Sequence, residues 1–216
     1  MLELKDFATF IKVCGVTSVE DAQLVIETSA DALGMILAPS PRRVTPERAA
    51  AITTYAQGHV LRVGVFRDCD PTSLYRTLAA VDFDAVQIHG LLADRVIAEL
   101  RSFDVAIIKA LAIDSPDFWA FDESSVDAIL VDGPRPGSGQ PHSWEALAGR
   151  RFTRPLIAAG GLASENVASV LRLTKAWGVD VASGVEQSPG VKNRDRLRAF
   201  VAAASEEFNL RREHRV

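Results

Sequence analysis

The sequence contains few cysteines and few aromatic residues, and it has no large excess of positive or negative charge. Its 216 residues include two cysteines, Cys14 and Cys69, and aromatic residues make up 7% of the chain. Two cysteines that follow different predicted strands build no disulfide framework, so we expect a protein of the reducing cytoplasm. The net charge of -4 provides no basic surface, which argues against a nucleic-acid partner.

Long apolar runs are also missing. No stretch approaches the roughly 20 residues that a transmembrane helix needs, so no membrane partner is expected. The first residues, 1–6, lack the basic start and apolar run of a signal peptide. Hydrophobic residues nevertheless make up 48% of the chain, which is enough for a sizeable core, and the length suits a single domain over residues 1–216.

Short apolar runs alternate with helical patterns along the chain. The runs are rich in Val, Ile, Leu and Ala, as is typical of parallel strands that are buried on both faces. The predicted strands are Phe10–Val13, Ala32–Leu37, Leu61–Val65, Ala85–Ile88, Ala106–Ala110, Ala128–Val131, Leu156–Ala159 and Val179–Ala182. Eight such units favour a closed α/β barrel, the (β/α)8 fold, over an open parallel sheet.

Capping residues indicate where the helices begin. Thr17 is followed three residues later by a glutamate, the spacing of a capping box. Thr45 and Asp70 each stand directly before a proline, which is favoured in the first helical turn. Two further helices are expected to open at Ser164 and Asn193.

Two strand ends carry side chains suited to acid–base chemistry. Cys14 ends the first strand, and both Lys12 and a following helix N-terminus are expected to lower its pKa, which favours a thiolate base or nucleophile. The alternative for Cys14 is a small buried hydrophobic residue. Asp132 ends the sixth strand and is a candidate general acid, or else a cap on the turn that follows. Lys12 and Asp180 are expected to form an ion pair inside the barrel, because the first and last strands become neighbours.

Two glycine turns end the seventh and eighth strands, at Gly160–Gly161 and Ser183–Gly184. Glycine lets backbone N–H groups approach a phosphate, and helix N-termini favour the anion. Neither turn contains Lys or Arg, which suits a phosphate site built from main chain. The alternative is two tight turns.

Three further polar residues stand near the predicted barrel mouth. Arg42 follows the second strand and suits a carboxylate or phosphate, whereas the adjacent Arg43 is better explained as a solvated loop charge. His89 alternates with Gln87 on the fourth strand, so both are expected to face the interior; a structural role is favoured for His89, with a substrate contact as the alternative. The Gly- and Pro-rich run 134–141 is typical of a mobile lid.

In order, these motifs resemble the phosphoribosylanthranilate isomerase family over roughly Ile11 to Phe200. The resemblance rests on Lys12–Thr17, Glu20–Ala22, Ala30–Gly34, Ser40–Arg42, Val63–Phe66, Val86–Gly90, Ala159–Leu162 and Gly178–Glu186. It implies a barrel without cofactor or metal that performs an Amadori rearrangement on a small phosphorylated substrate, as a monomer or homodimer.

The resemblance also implies roles for single residues. Asp132 matches the family's general acid and Cys14 its general base. Arg42 matches the arginine that holds the anthranilate side. The residues that match the family's phosphate loops are Gly160, Gly161, Ser183 and Gly184.

Some positions depart from the family pattern. The family's Gly-Gly-Thr-Gly run and following Asp-Trp are replaced by Gly137–Gly139 and Ser143–Trp144, and Leu91 stands where an acidic residue is frequent. Two rival functions follow. One is a histidine-pathway barrel isomerase, although that family has a carboxylate where this chain has Cys14. The other is a barrel that binds a phosphorylated ligand without turnover.

Overall fold

A closed barrel of eight parallel strands, adjacent in chain order, forms the centre of the molecule. The strands are β1 (Phe10–Cys14), β2 (Ala32–Ile36), β3 (Leu61–Arg67), β4 (Ala85–His89), β5 (Ala106–Ala112), β6 (Ala128–Asp132), β7 (Leu156–Ala159) and β8 (Gly178–Val181). Because β1 pairs with both β2 and β8, the predicted closure is confirmed. The computed structural model describes residues 3–90, 94–115, 117–132, 144–147 and 150–213.

Helices follow most of the strands. In chain order they are α1 (Val19–Glu27), α2 (Pro46–Ala56), α3 (Pro71–Ala80), α4 (Asp94–Leu100), α5 (Asp117–Ala120), α6 (Val167–Thr174) and α7 (Arg194–Glu213). Their apolar faces pack on the outside of the barrel in one large core cluster. Among the described residues, no helix has the length and apolar character needed to cross a membrane.

Three of the five predicted helix starts are confirmed. The side chains of Thr45, Asp70 and Asn193 accept hydrogen bonds from backbone N–H groups in the first turns of α2, α3 and α7. The other two predictions were wrong by one and two residues. Ser18 caps α1, while Thr17 instead donates to Gly190 O at 2.6 Å.

The second of these corrections concerns α6. Asn166 rather than Ser164 is the residue before this helix. The Ser164 hydroxyl bonds to the carboxylate of Glu165, its neighbour in the chain, at 2.9 Å. The hydroxyl is therefore engaged with a side chain instead of a helical N–H group.

The barrel interior is filled by every second residue of each strand, as the alternation of strand side chains requires. At the amino-terminal end, Phe10 stacks on Trp177 with ring centroids 4.9 Å apart. At the carboxyl end, the last inward positions of β1, β4 and β6 are Cys14, His89 and Asp132. The strand period therefore brings polar side chains from distant parts of the chain to one mouth.

Aspartates at the opposite end of the barrel tie neighbouring strands together. Each stands directly before an even-numbered strand and accepts a backbone N–H from the preceding strand. The pairs are Asp31 with Ile11 N (2.7 Å), Asp84 with Arg62 N (2.8 Å) and Asp127 with Ile107 N (2.7 Å). These contacts stabilise the end of the barrel that lies away from the mouth.

A small hairpin between β8 and α7 was not predicted from the sequence. It consists of β9 (Glu186–Ser188) and β10 (Val191–Lys192), paired antiparallel. Glu186 and Lys192 are both buried. The hairpin therefore places two buried charged side chains near the carboxyl ends of the barrel strands.

Candidate active site

A cavity of about 250 Å³ opens at the carboxyl ends of the strands. Seven of the eight residues predicted for the site line it: Cys14, Arg42, His89, Asp132, Gly160, Gly161 and Ser183. The eighth, Gly184, is not part of its wall. The fold thus gathers the predicted acid, base, arginine and glycine turns around one space.

Cys14 lies deep in this cavity, with 6% of its surface exposed. A methyl group added to Gly34 on the paired strand would lie 3.1 Å from Cys14 Sγ and 3.0 Å from Lys12 Nζ, so both atoms approach the same point of β2. Lys12 in turn bonds to Asp180 at 2.9 Å, which confirms the predicted ion pair. The thiol therefore shares a buried space with a cation and its counter-ion.

The pKa of Cys14 differs from the prediction. Burial raises the pKa above its ordinary value, and the lowering by Lys12 does not overcome it, because Asp180 opposes that cation. The expected helix N-terminus gives little help, since α1 begins at Val19 and its first turn is capped by Ser18. The desolvation of the thiol depends on the tertiary structure. It cannot be predicted from the residues next to Cys14 in the sequence.

Asp132 is the last residue of β6 and is 8% exposed. Its main-chain carbonyl accepts a hydrogen bond from Ile113 N at 3.1 Å, which connects the ends of β5 and β6. Its side chain belongs to the cavity wall. The turn that it would cap, the expected lid at 134–141 and the altered motif at 137–143 lie outside the described residues.

Arg42 is held by a buried carboxylate that sequence reasoning missed. Its Nε and Nη2 donate to Glu186 Oε1 and Oε2, each at 2.8 Å. The stem of Arg42 packs on Gly15, where a Cβ would lie 2.6 Å from the arginine Cδ. Lys192 Nζ donates to Glu186 at 3.0 Å and to the carbonyl of Cys14 at 2.6 Å. Arg43 is exposed, as predicted.

His89 lies where burial disfavours its charged form. Burial, and then the positive charge of Arg67, lowers its pKa to about 3. Its Nε2 lies 2.8 Å from Gln87 Nε2, so the two side chains are hydrogen-bonded to each other. Both side chains line the cavity as predicted, together with Arg67, a cation that sequence reasoning did not select.

The glycine turn after β7 has an unusual backbone. Gly160 and Gly161 have φ of 93° and 64°, values that side chains strongly disfavour. Asn166 braces this turn: its Oδ1 accepts from Ala163 N at 2.9 Å and its Nδ2 donates to Gly161 O at 2.8 Å. Asn166 was not predicted as a site residue, although an Asn five residues beyond a Gly-Gly turn is a usable signal.

The turn after β8 is a 3-10 turn over Ser183–Val185. Its first two amides, of Ser183 and Gly184, find no partner inside the turn. Gly184 also has a packing reason to be glycine: a Cβ there would overlap the carbonyl oxygen of Leu162, so glycine allows contact between the two turns. The predicted helix N-termini are also not at the turns, since α6 and α7 begin at Val167 and Arg194.

Comparison with known proteins identifies the family. The family model for N-(5'-phosphoribosyl)anthranilate isomerase matches residues 11–203. The enzyme of that name from Paramagnetospirillum magneticum is 37% identical over 206 residues, covering 90% of this chain and 96% of the relative. The crystal structure of phosphoribosyl anthranilate isomerase from Thermus thermophilus is 39% identical with a TM-score of 0.81, over 91% of this chain and 98% of that one.

A further solved structure carries a ligand. It is a phosphoribosyl anthranilate isomerase in complex with reduced 1-(o-carboxyphenylamino)-1-deoxyribulose 5-phosphate. It is 32% identical to this chain, with a TM-score of 0.81, over 92% of this chain and 99% of that one. With the family model spanning nearly the whole barrel, the chain belongs to the N-(5'-phosphoribosyl)anthranilate isomerase family.

Proposed function

We propose that this cavity converts N-(5'-phosphoribosyl)anthranilate into 1-(o-carboxyphenylamino)-1-deoxyribulose 5-phosphate, with Asp132 as general acid and Cys14 as general base. The observation that carries these roles is their placement. Both residues occupy the last inward-facing position of their strand, and both line one cavity. The wall of this cavity also contains the glycine turn after β7. The reaction is an Amadori rearrangement, an aldose–ketose isomerisation of an amino sugar.

The first step opens the sugar ring. Asp132 donates its proton to the furanose oxygen while the bond between that oxygen and C1 breaks. The nitrogen lone pair forms a C1=N double bond, and the resulting Schiff base carries a positive charge. Asp132 suits this role by its position, because it lines the cavity at the end of β6.

The second step moves a proton from carbon. The thiolate of Cys14 removes the C2 proton, and the C2–H electrons form a C1=C2 double bond as the C=N electrons return to nitrogen. The enolamine then takes a proton at C1 and loses the hydroxyl proton at C2, which leaves the ketone. Lys12 beside the thiol stabilises the thiolate during this step.

Substrate orientation follows from the two sides of the mouth. The phosphate is assigned to the amides of Gly161 and Ser183, because both belong to the wall on the β7–β8 side. The anthranilate carboxylate is assigned to Arg42 on the β2 side. We further propose a cytoplasmic enzyme that acts as a monomer or a homodimer and has no cofactor.

The decisive experiment supplies the substrate to the purified protein. Anthranilate and phosphoribosyl pyrophosphate form it in place through a phosphoribosyltransferase, and the ketose product is identified by chromatography. We expect turnover on this compound and none on the aminoaldose of the histidine pathway. Turnover of the latter alone would support the rival isomerase, and product binding without turnover would support the binding barrel.

A further inference from the structure

We infer that Glu186 is a positioning residue that sets the selectivity of the site for a carboxylate on the aromatic end of the substrate. It acts through Arg42 and does not itself touch the substrate. The inference rests on the proposed function, in which Arg42 receives that carboxylate. It concerns the hairpin β9–β10, which has no other role in the proposed mechanism.

The contact between Glu186 and Arg42 is bidentate and buried. Nε donates to Oε1 at 2.8 Å and to Oε2 at 3.1 Å, while Nη2 donates to Oε2 at 2.8 Å. The exposed fractions of the two residues are 5% and 8%. A fork of this kind fixes the plane of the guanidinium as well as its position.

Glu186 occupies only one edge of that guanidinium. An arginine has five N–H donors, and this contact uses the Nε edge. In the part of the chain that the structure describes, the two hydrogens on Nη1 and the second on Nη2 remain for another acceptor. Since Arg42 also belongs to the cavity wall, the remaining edge is the part that a ligand carboxylate can reach.

Two groups of the hairpin fix the position of the Glu186 carboxylate. Its Oε1 accepts from Lys192 Nζ at 3.0 Å and from Gly190 N at 3.3 Å. The same ammonium group donates to the carbonyl of Cys14 at 2.6 Å. Arg42 and Cys14 therefore stand at two ends of one buried chain of contacts, and the distance between the carboxylate receptor and the base is set by the hairpin.

The charges along this series of contacts explain why the group that best matches Arg42 is a carboxylate. Arg42 and Lys192 lower the pKa of Glu186 against the effect of its burial, so it stays ionised. It neutralises the cation of Lys192 and aligns that of Arg42. A ligand without a carboxylate would leave the aligned edge of Arg42 desolvated and without an acceptor, which disfavours it.

The test measures how strongly the protein prefers the carboxylate. The probes are the reduced product and its counterpart that lacks the ring carboxylate, and their dissociation constants are measured by calorimetry. For Glu186→Gln we expect binding of the reduced product to weaken by about tenfold, the loss of one charged hydrogen bond. Binding of the counterpart should change less than about twofold, and KM should rise more than kcat falls.

Two further variants separate position from charge and stability. Glu186→Asp keeps the charge but shortens the reach by one methylene, so we expect it to lose the carboxylate preference as well. Glu207→Gln is the control outside the site. Glu207 is 4% exposed and pairs with Arg172 at 2.7 Å, so this variant should lose stability and keep the preference.

Two results would overturn the inference. If Glu186→Gln binds the reduced product more tightly, Glu186 competes with the carboxylate for Arg42 instead of aligning it. If both probes weaken equally, its role is structural. Arg42→Ala in the same assay separates the two proposals: an unchanged preference there shows that Arg42 does not receive the carboxylate, and the proposed orientation fails with it.

Discussion

Lys12 on β1 and Asp180 on β8 form an ion pair of 2.9 Å inside the barrel, with the lysine fully buried. The pair joins β1 to β8, the two strands whose pairing closes the barrel. Removing one partner of a buried pair leaves an uncompensated charge, so Asp180→Asn should lower the free energy of unfolding by about 3–5 kcal/mol in urea titrations. Asp82→Asn is the control, because Asp82 pairs with Arg62 but is 70% exposed; its cost should stay below about 1 kcal/mol. If both variants lose a similar free energy of unfolding, the Lys12–Asp180 pair does not have this stabilising role.

The base assignment predicts a specific loss in Cys14→Ala. Turnover should fall by about 10²–10⁴-fold, while the reduced product still binds, because the thiol acts mainly in the transition state. Since burial raises the pKa of Cys14, the wild-type kcat/KM should increase between pH 7 and pH 9 as the thiolate forms. Cys69→Ala, at the other free cysteine, should leave both properties unchanged. Near-normal turnover in Cys14→Ala would end the assignment.

The acid assignment predicts that Asp132→Asn folds but turns over little substrate. The amide keeps the shape of the side chain and cannot supply the proton for ring opening, so kcat should fall by about 10²–10⁴-fold. Asp114→Asn, at an exposed position after β5, is the matched control. Activity is measured beside the melting temperature, and a loss of stability that parallels the loss of activity would favour the capping role instead.

The brace on the glycine turn predicts a phosphate-specific defect. Asn166→Ala removes the contacts to Ala163 N and Gly161 O, so the turn should lose its fixed shape. We expect the affinity for the phosphorylated product to fall by about tenfold and that for the dephosphorylated product to stay constant. Asn193→Ala, which removes the cap of α7, should cost stability without this difference. Equal loss for both ligands would place the phosphate elsewhere.

Asp31 predicts a pH dependence of stability. Burial raises its pKa to about 6, against the effect of its bond from Ile11 N. The folded protein therefore holds a proton that the unfolded chain releases near pH 4, so this contribution is complete below pH 4 and is lost as the pH rises through 6. The stability of the wild type relative to Asp31→Asn should decrease over that range in urea titrations. A constant difference from pH 4 to pH 7 would show that Asp31 does not titrate in this way.

Much of the barrel could be predicted because its signals are local. The strands are continuous apolar runs, and the caps Thr45, Asp70 and Asn193 act on amides three residues away. The cap prediction failed at Thr17, where the neighbouring Ser18 was equally suited and the threonine found a partner in Gly190. Choosing between two adjacent hydroxyl residues depends on tertiary contacts.

The site was predictable only where its residues end strands. Cys14, His89 and Asp132 could be placed at the mouth by the period of the strands alone. Glu186 and Lys192 could not, because their partners Arg42 and Cys14 are 144 and 178 residues away. Short charged strands of two or three residues carry no recognisable pattern. The raised pKa of Cys14 was missed for the same reason, since burial is decided by the whole barrel.

The pairing of β1 with β8 has a consequence for synthesis on the ribosome. β1 is the first barrel strand to emerge, but one of its two neighbours, β8, is the last barrel strand made. Until then it presents an open edge of N–H and C=O groups, which invites association with other nascent chains. Cys14 acquires its buried surroundings only when Asp180 and Lys192 have left the exit tunnel, so the site can form only after β8 and the hairpin β9–β10 have been made.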